Sequence, residues 1–530
     1  MPEAATPPSS QMLRWMLGLS VGLPLLALLV LGQDHNWDLQ NYYLYDPFAW
    51  LHGRLRLDIA PAQVQTWHNP LLDVPMYLMN AARWPGALIC IWLALPSMVA
   101  LFLLLRMYAL LSIHPFSRVR LATLSVFTMG GVGFFAVIGT CLNDAFVAAG
   151  ILGSLFLVLR EDPAADGYRA WCLAGALAGA TTGLKLTAAV YCLGLAGAAL
   201  ALPSWQRTSY RFGALLAGGV AGFALTYGYW GTLLFQLHGN PIFPYYNQLF
   251  HSPDATFAAN ADERFHPAGV ADALLIPLRL LEKTQLYSEK LLRDPRLFLG
   301  LVAWPTLLWR ARRNKDAGDA MRRTRLRAIA GFGSVALLAW SLQSGIYRYA
   351  LPLEMLGCLG FVLVVEGLPA RRLQSGSIIG CLLAIAMTYP ATWGRTQFQA
   401  TFVDVQMPAL PHGAMIVLSG WSPLAYAVTA LPDDVAAIAI DNTLMRPDSC
   451  TALSIAAERR IKAHSGPLML RRGAQPTDDA GQVIAKSAYG LSVSGTCAPV
   501  ATSFGTLRLC PLRRDPHAPL CAQPAATPGR

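Results

Sequence analysis

The sequence predicts a polytopic α-helical membrane protein of about 11 transmembrane helices, with a small extracytoplasmic α/β domain at the C-terminal end. Three observations predict it. Only 13% of the 530 residues are charged, about half the roughly 25% of a soluble domain. Hydrophobic residues make up 54% and the mean hydropathy is +0.41. The apolar residues also gather into continuous runs near the roughly 20 residues that cross a hydrocarbon layer about 30 Å thick. Continuity rather than alternation makes these runs helices, not barrel strands. A soluble enzyme of this length would have to expose the apolar excess, so that class is excluded. Collagen-like, disordered and small disulfide-scaffold classes fail as well, since apolar runs dominate and cysteine is only 10 in 530.

In chain order, spans are expected at about 13–32, 86–110, 121–140, 145–159, 170–184, 186–203, 212–235, 296–310, 327–343, 350–367 and 375–391. The first run follows a single basic residue, Arg14, and lacks a small-residue cleavage site, so it reads as a retained helix. Around Lys185 the sequence leaves little room for a turn between two spans. The basic residues set the orientation. With the N-terminus cytoplasmic, the short inner loops hold Arg118 and Arg120, Arg160 and Arg169, Arg207 and Arg211, and Arg371 and Arg372. The loop 310–327 adds Arg310, Arg312, Arg313, Lys315, Arg322, Arg323, Arg325 and Arg327. The longer outer loops carry a thinner scatter, including Arg54, Arg56, Arg83, Arg264 and Arg293. The net charge of +11 is largely this inner clustering, which suits anionic lipid headgroups and gives no reason to expect nucleic acid.

The domain organisation follows: a transmembrane catalytic domain at 1–391, with outer loops at 33–84 and 236–295, and an extracytoplasmic α/β domain at 392–530. All three extramembrane segments fall on the outer side, which puts the chemistry there. In the tail, apolar runs Ala414–Leu418, Ala436–Ile440 and Pro467–Leu470 with a helical stretch Thr451–His464 give strand, strand, helix, strand. Cys450, Cys497, Cys510 and Cys521 fall in this domain and allow two disulfides in any of three pairings. None has a Cys-x-x-Cys spacing, so zinc is disfavoured. No internal repeat is present.

The strongest cluster of chemistry-bearing residues follows the first span. A helix continuing outward would put Asp34 and Asp38 on one face, with Asn41, Tyr42 and Tyr45 alongside. A carboxylate at the membrane–water boundary suits a general base, and aromatic faces suit a sugar ring. The alternative is an interfacial aromatic belt with solvated acids. Asn143-Asp144 stands at the outer end of the third span, where helix capping and function can coexist. Lys185, inside a long apolar stretch, needs an anion or a route to the boundary. A phosphate is one such anion, and Arg348 is the second candidate for it. Glu354, pairing with Lys185 or Arg348, is the structural alternative. His68 closes the first outer loop in His68-Asn69-Pro70, where the Asn-Pro turn competes with a functional reading. The motifs of nucleotide-binding, zinc-protease and serine-hydrolase sites are absent in the right context.

Trp37-Asp38, Asn41-Tyr42-Tyr43, Asn143-Asp144, Gly183-Leu184-Lys185-Leu186-Thr187, Gly239-Asn240-Pro241 and Tyr347-Arg348-Tyr349 together resemble the GT-C superfamily of integral-membrane glycosyltransferases. The nearest likeness is to its bacterial mannosyltransferase and arabinose-transferase-like branch. It covers roughly the first 390 residues and leaves the tail outside. Many relatives carry Asp-Glu in the first outer loop, whereas Asp34 and Asp38 are separated here. The resemblance implies transfer of a sugar, usually with inversion, from a polyprenyl-phosphate donor to a lipid or glycan acceptor on the outer face of the bacterial cytoplasmic (inner) membrane. By position, Asp38 would be the base, with Asp34 the fallback. Asp144 would position a substrate, with Asn143 beside it. Lys185 and Arg348 would hold the donor phosphate, and Asn41, Tyr42 and His68 would line the binding region. No cofactor is expected, although some relatives use a divalent ion and Asp34, Asp38 and Asp144 could supply oxygen ligands. A transporter or lipid flippase is the alternative. It predicts inverted repeats, and none is visible.

Overall fold

A computed structural model describes residues 9–114, 116–162, 167–260, 262–313, 320–368, 371–472 and 479–516. Among them five helices are long and apolar enough to cross a membrane: Ser10–Leu31, Gly86–Leu111, Arg207–His238, Ala320–Gln343 and Tyr347–Glu366. The expected count of about eleven is not supported. The apolar run at 121–140 breaks at Gly130 and Gly131 into Arg118–Met129 and Val132–Val137. Asp144–Arg160 and Tyr168–Leu184 have 17 residues each, about 26 Å at 1.5 Å per residue. Ala189–Leu200 has only 12. Arg296–Arg313 is interrupted by arginines at both ends, and the apolar part of Arg371–Met387 is Ile378–Met387. Apolarity runs on through breaks that the backbone cannot ignore. Lys185 marks one of them, as a single extended residue (φ −146°, ψ 104°) between two helical segments.

The chain divides into two compact units. The first comprises Met1–Gln33, Cys90–Tyr229 and Asp262–Arg395. Here small residues let helices meet backbone to backbone, as in many membrane helix pairs. Gly175 and Gly179 of Tyr168–Leu184 face Leu215 and Gly219 of Trp205–His238, while Gly218 and Gly222 face Cys172 and Ala176 in return. A Cβ at any of these four positions would collide with a facing carbonyl. Gly197 and Gly331 bring Ala189–Leu200 against Ala320–Gln343 in the same way.

A buried polar network explains the break at Gly130–Gly131. Glu354, fully buried, accepts hydrogen bonds from the Gly133 amide (2.7 Å), the Phe134 amide (3.0 Å) and the Tyr347 hydroxyl (2.7 Å). Asp294 accepts from the Val132 amide at 2.7 Å and pairs with Arg296 at 3.0 Å. Arg296 also donates to the Phe127 carbonyl through Nε and Nη2. The amides released where the helix stops are taken up by two carboxylates, so the break leaves few orphaned donors. This corrects the expectation that Glu354 pairs with Lys185 or Arg348.

The second unit comprises Asp34–Ile89, Trp230–Ala261 and Thr396–Arg530. Its sheet has seven strands: β1 (Val405–Gln406), β2 (Met415–Ser419), β3 (Ala436–Asp441), β4 (Leu468–Arg472), β5 (Leu491–Val493), β6 (Ala498–Thr502) and β7 (Gly505–Arg514). They are ordered β1-β6-β7-β4-β2-β3, with β5 also paired to β7. The three strands expected from the sequence, β2, β3 and β4, pair in parallel with β2 in the middle. The helix Ala452–Ala463 lies between β3 and β4 in the chain, and Thr451 Oγ1 caps it by accepting from the Ser454 amide. Every residue of β2 and β3 is buried, which is why they read as unbroken apolar runs. Cys497, just before β6, forms a disulfide with Cys510 of β7. Cys521 and Lys315 lie outside the described residues.

The segment 33–84 packs on this sheet. Ile59 donates to the Ala437 carbonyl (3.0 Å) and accepts from the Ala439 amide (2.9 Å), covering the β3 edge. Beside it Arg54 is wholly buried and makes two hydrogen bonds to Asp58, both at 2.9 Å. It donates further to the carbonyls of Pro432, Asp433 and Val435. Asp58 also accepts from the Tyr45 hydroxyl (3.0 Å) and the Ala437 amide (2.8 Å). Each donor of the guanidinium thus meets an acceptor, the condition under which a buried ion pair holds rather than costs.

Candidate active site

In the second unit the segment after the first span does not continue as an α-helix. Residues Gln33 and Asp34 are extended, and Leu39–Tyr43 form a π-helix followed by the α-helix Tyr45–Leu51. The expected shared helical face for Asp34 and Asp38 therefore does not exist. Asp34 is buried and accepts from the Asn36 amide (3.1 Å) and the Asn36 side chain (2.8 Å), a local turn that commits its Oδ1. Asp38 is half-buried at the N-cap of the π-helix and does not cap it with its side chain. The two acids thus sit in different environments. π-turns of this kind occur often at functional sites.

The same unit gathers three of the expected binding residues around Asp38's helix. Asn41 is fully buried and donates to the Ala62 carbonyl and the Gln65 side chain, both at 3.2 Å. Tyr42 meets His68 edge-on, with ring centroids 5.0 Å apart. His68 Nε2 lies 2.8 Å from the Tyr245 hydroxyl, and the two rings stack at 5.9 Å. The result is a wall of aromatic faces and fixed amides, the surface chemistry that suits a sugar ring.

One acid of this cluster gave no functional signal in the sequence. Asp46, buried in the helix after the π-turn, has no hydrogen-bond partner for either carboxylate oxygen among the described residues. Burial pushes its carboxyl well above the usual range, and Asp73 pushes it further. Asp58 is raised too, by burial, with Arg54 drawing it back down.

The first unit holds the remaining expected residues. Asn143 is the N-cap of Asp144–Arg160, without a side-chain capping bond, and its carbonyl accepts from the Val147 amide at 3.1 Å. Lys185 Nζ donates to Asp144 Oδ1 at 2.7 Å, pairing residues 41 apart. Asp144 Oδ2 is buried and has no hydrogen-bond partner among the described residues. The Lys185 ammonium lies 5.4 Å from the centre of the Tyr349 ring, and the Arg348 guanidinium lies 5.9 Å from that same ring and 5.5 Å from the Trp393 ring. Glu289 approaches Arg348 at 3.6 Å and accepts from Trp393 Nε1 at 2.9 Å. Two cations far apart in sequence thus flank one tyrosine, each beside a carboxylate.

Several of these partners carried no sequence signal. Asp144 has no basic residue nearby in the chain, and Glu289 lies in a loop without periodicity. Among the described residues no three or more His, Cys, Asp or Glu side chains stand together as a metal-binding set. The chain matches no known family model and no curated protein.

Proposed function

We propose that this protein is a GT-C-type membrane glycosyltransferase that moves a sugar from a polyprenyl-phosphate donor to an extracytoplasmic acceptor in the bacterial cell envelope. The observation that carries the reading is the convergence of Lys185 and Arg348 on Tyr349, with Asp144 bonded to Lys185. Paired cations at a helix break suit a phosphate whose prenyl chain stays in lipid. Five helices that could cross a membrane supply the setting.

In this mechanism an acceptor hydroxyl attacks the anomeric carbon and gives up its proton to a general base, the role that the sequence resemblance assigns to Asp38. The bond from that carbon to the phosphate oxygen breaks, and its electron pair leaves on the phosphate. Lys185 and Arg348 stabilise that leaving group without needing a metal. Asp144 holds Lys185 in place and offers Oδ2 to a substrate hydroxyl. The resemblance places Asp38 as the base and Asp34 as the fallback; Oδ1 of Asp34 accepts both bonds from Asn36.

The test uses the full chain in lipid nanodiscs with radiolabelled polyprenyl-phosphate sugars and a cell-envelope extract as acceptor. Lys185→Met and Arg348→Ala should each raise the KM for donor by about tenfold or more, the scale of one charge-assisted contact to phosphate. No turnover with any donor would sink the reading and favour a transporter.

A further inference from the structure

The tail sheet has a feature that the transferase reading does not use. β2 is its middle parallel strand: the chain leaves β2 for β3 on one side and returns to β4 on the other. In open α/β sheets, ligands bind outside the carboxyl ends of the strands at such a reversal. The reversal itself lies between β2 and β4; the same carboxyl edge carries Ser419-Gly420-Trp421 after β2 and Asp441 at the end of β3. The Gly420 amide donates to the Asp441 carbonyl at 3.0 Å, which holds the two strand ends together.

Three side chains at this edge are unusual for a closed core. Trp421 is 57% exposed. The Asp441 carboxylate has no hydrogen-bond partner among the described residues, and burial pushes it above its ordinary range with Arg446 opposing. Gln63 from the first outer loop is 2% exposed and donates through Nε2 to the Trp421 carbonyl at 3.2 Å. Its Oε1 is nonetheless buried without a hydrogen-bond partner among the described residues. Gln63 also sits in the left-handed region (φ 61°), a conformation that a non-glycine residue keeps only where the surroundings demand it.

We propose that this edge is a carbohydrate-binding subsite for the acceptor, in which the Trp421 ring carries the face of a sugar, Asp441 accepts hydrogen bonds from its hydroxyls, and Gln63 positions the Trp421 backbone. A carboxylate in need of donors, on the strand end bonded to the loop that carries an exposed indole, fits a polyhydroxylated ring and not an anion. The transferase reading enters only in calling the bound sugar an acceptor. The test is binding of mannotriose, xylotriose, cellotriose and arabinotriose to the full chain in nanodiscs, by saturation-transfer NMR and calorimetric titration. At least one trisaccharide should bind. Trp421→Ala should weaken it by about tenfold or more, Asp441→Asn should also weaken it, and Trp421→Phe should retain most of the affinity. Trp421 is exposed, so these variants should keep the fold, checked by an unchanged melting temperature. Absence of binding by all four sugars overturns the proposal, as does binding indifferent to Trp421→Ala. No prenyl-phosphate donor is used, so failure here and failure of the transferase reading are separate results.

Discussion

Replacing Arg54 by alanine should release the segment 54–62 from the tail sheet. The change removes five hydrogen bonds, two to Asp58 and three to the carbonyls of Pro432, Asp433 and Val435. It also strands a carboxylate whose side chain is 1% exposed. Breaking a buried pair from one side costs about 3–5 kcal/mol. Asp58 keeps its bonds from Tyr45 and Ala437, so the lower half of that range is expected. The readout is hydrogen exchange along β3. The amides of Ala437 and Ala439 face the segment 54–62, bonding to Asp58 and to the Ile59 carbonyl. If their protection reflects opening of this contact, 3 kcal/mol accelerates their exchange by roughly 10²-fold. The alternate amides of β3, bonded toward β2, should respond far less. In a double-mutant cycle with Asp58→Ala the two changes should couple by about 1–3 kcal/mol. Equal exchange along β3 in wild type and variant, or simple additivity in the cycle, would refute the reasoning.

Three other outcomes follow from the packing and electrostatics. Gly222→Leu would drive a side chain into the Ala176 carbonyl and should destabilise the first unit by about 1–3 kcal/mol or more, while Gly213→Leu in the same helix meets open space and should melt like wild type. Asp46 binds its proton more tightly in the folded chain than in the unfolded one, so it contributes stability below its raised pKa that is lost as pH climbs through it; melting temperatures from pH 5 to 9 should fall less steeply in Asp46→Asn than in wild type. Reducing Cys497–Cys510, which closes a short loop of sequence separation 13, should cost the tail about 3 kcal/mol, measured as lost protease resistance of β6 and β7.

The tail was the most legible part of the fold. Its parallel strands β2 and β3 are buried on both faces, so each reads as an apolar run, and Thr451 marks the helix start. The antiparallel strands β6 and β7 carry a mixed burial pattern and gave no such run. Five of the expected spans coincide with helices that could cross a membrane, whereas the other apolar runs were legible as apolar but not as spans. Hydropathy is blind to where a carboxylate from another helix, such as Glu354, captures amides and stops the chain from coiling. At the candidate site the residue types were legible and their partners were not. Lys185 announced a buried cation, but only the fold brings Asp144 to it. Asp34 and Asp38 looked alike in sequence because four-residue spacing implies a shared α-helical face. An extended residue and a π-turn separate them instead.

The most direct test of transferase chemistry compares wild type with Asp38→Asn in single-turnover release of radiolabelled sugar from a polyprenyl-phosphate donor. Both proteins would be in nanodiscs with the same envelope extract, and their folding would be matched by melting temperature. The account predicts acceptor-dependent release by wild type and a loss of about 10²–10⁴-fold in Asp38→Asn, the contribution of a general base, with Asp34→Asn much less affected. Release that persists undiminished in Asp38→Asn would contradict the assignment of the base. Absence of release by the wild type with every donor would contradict the function itself.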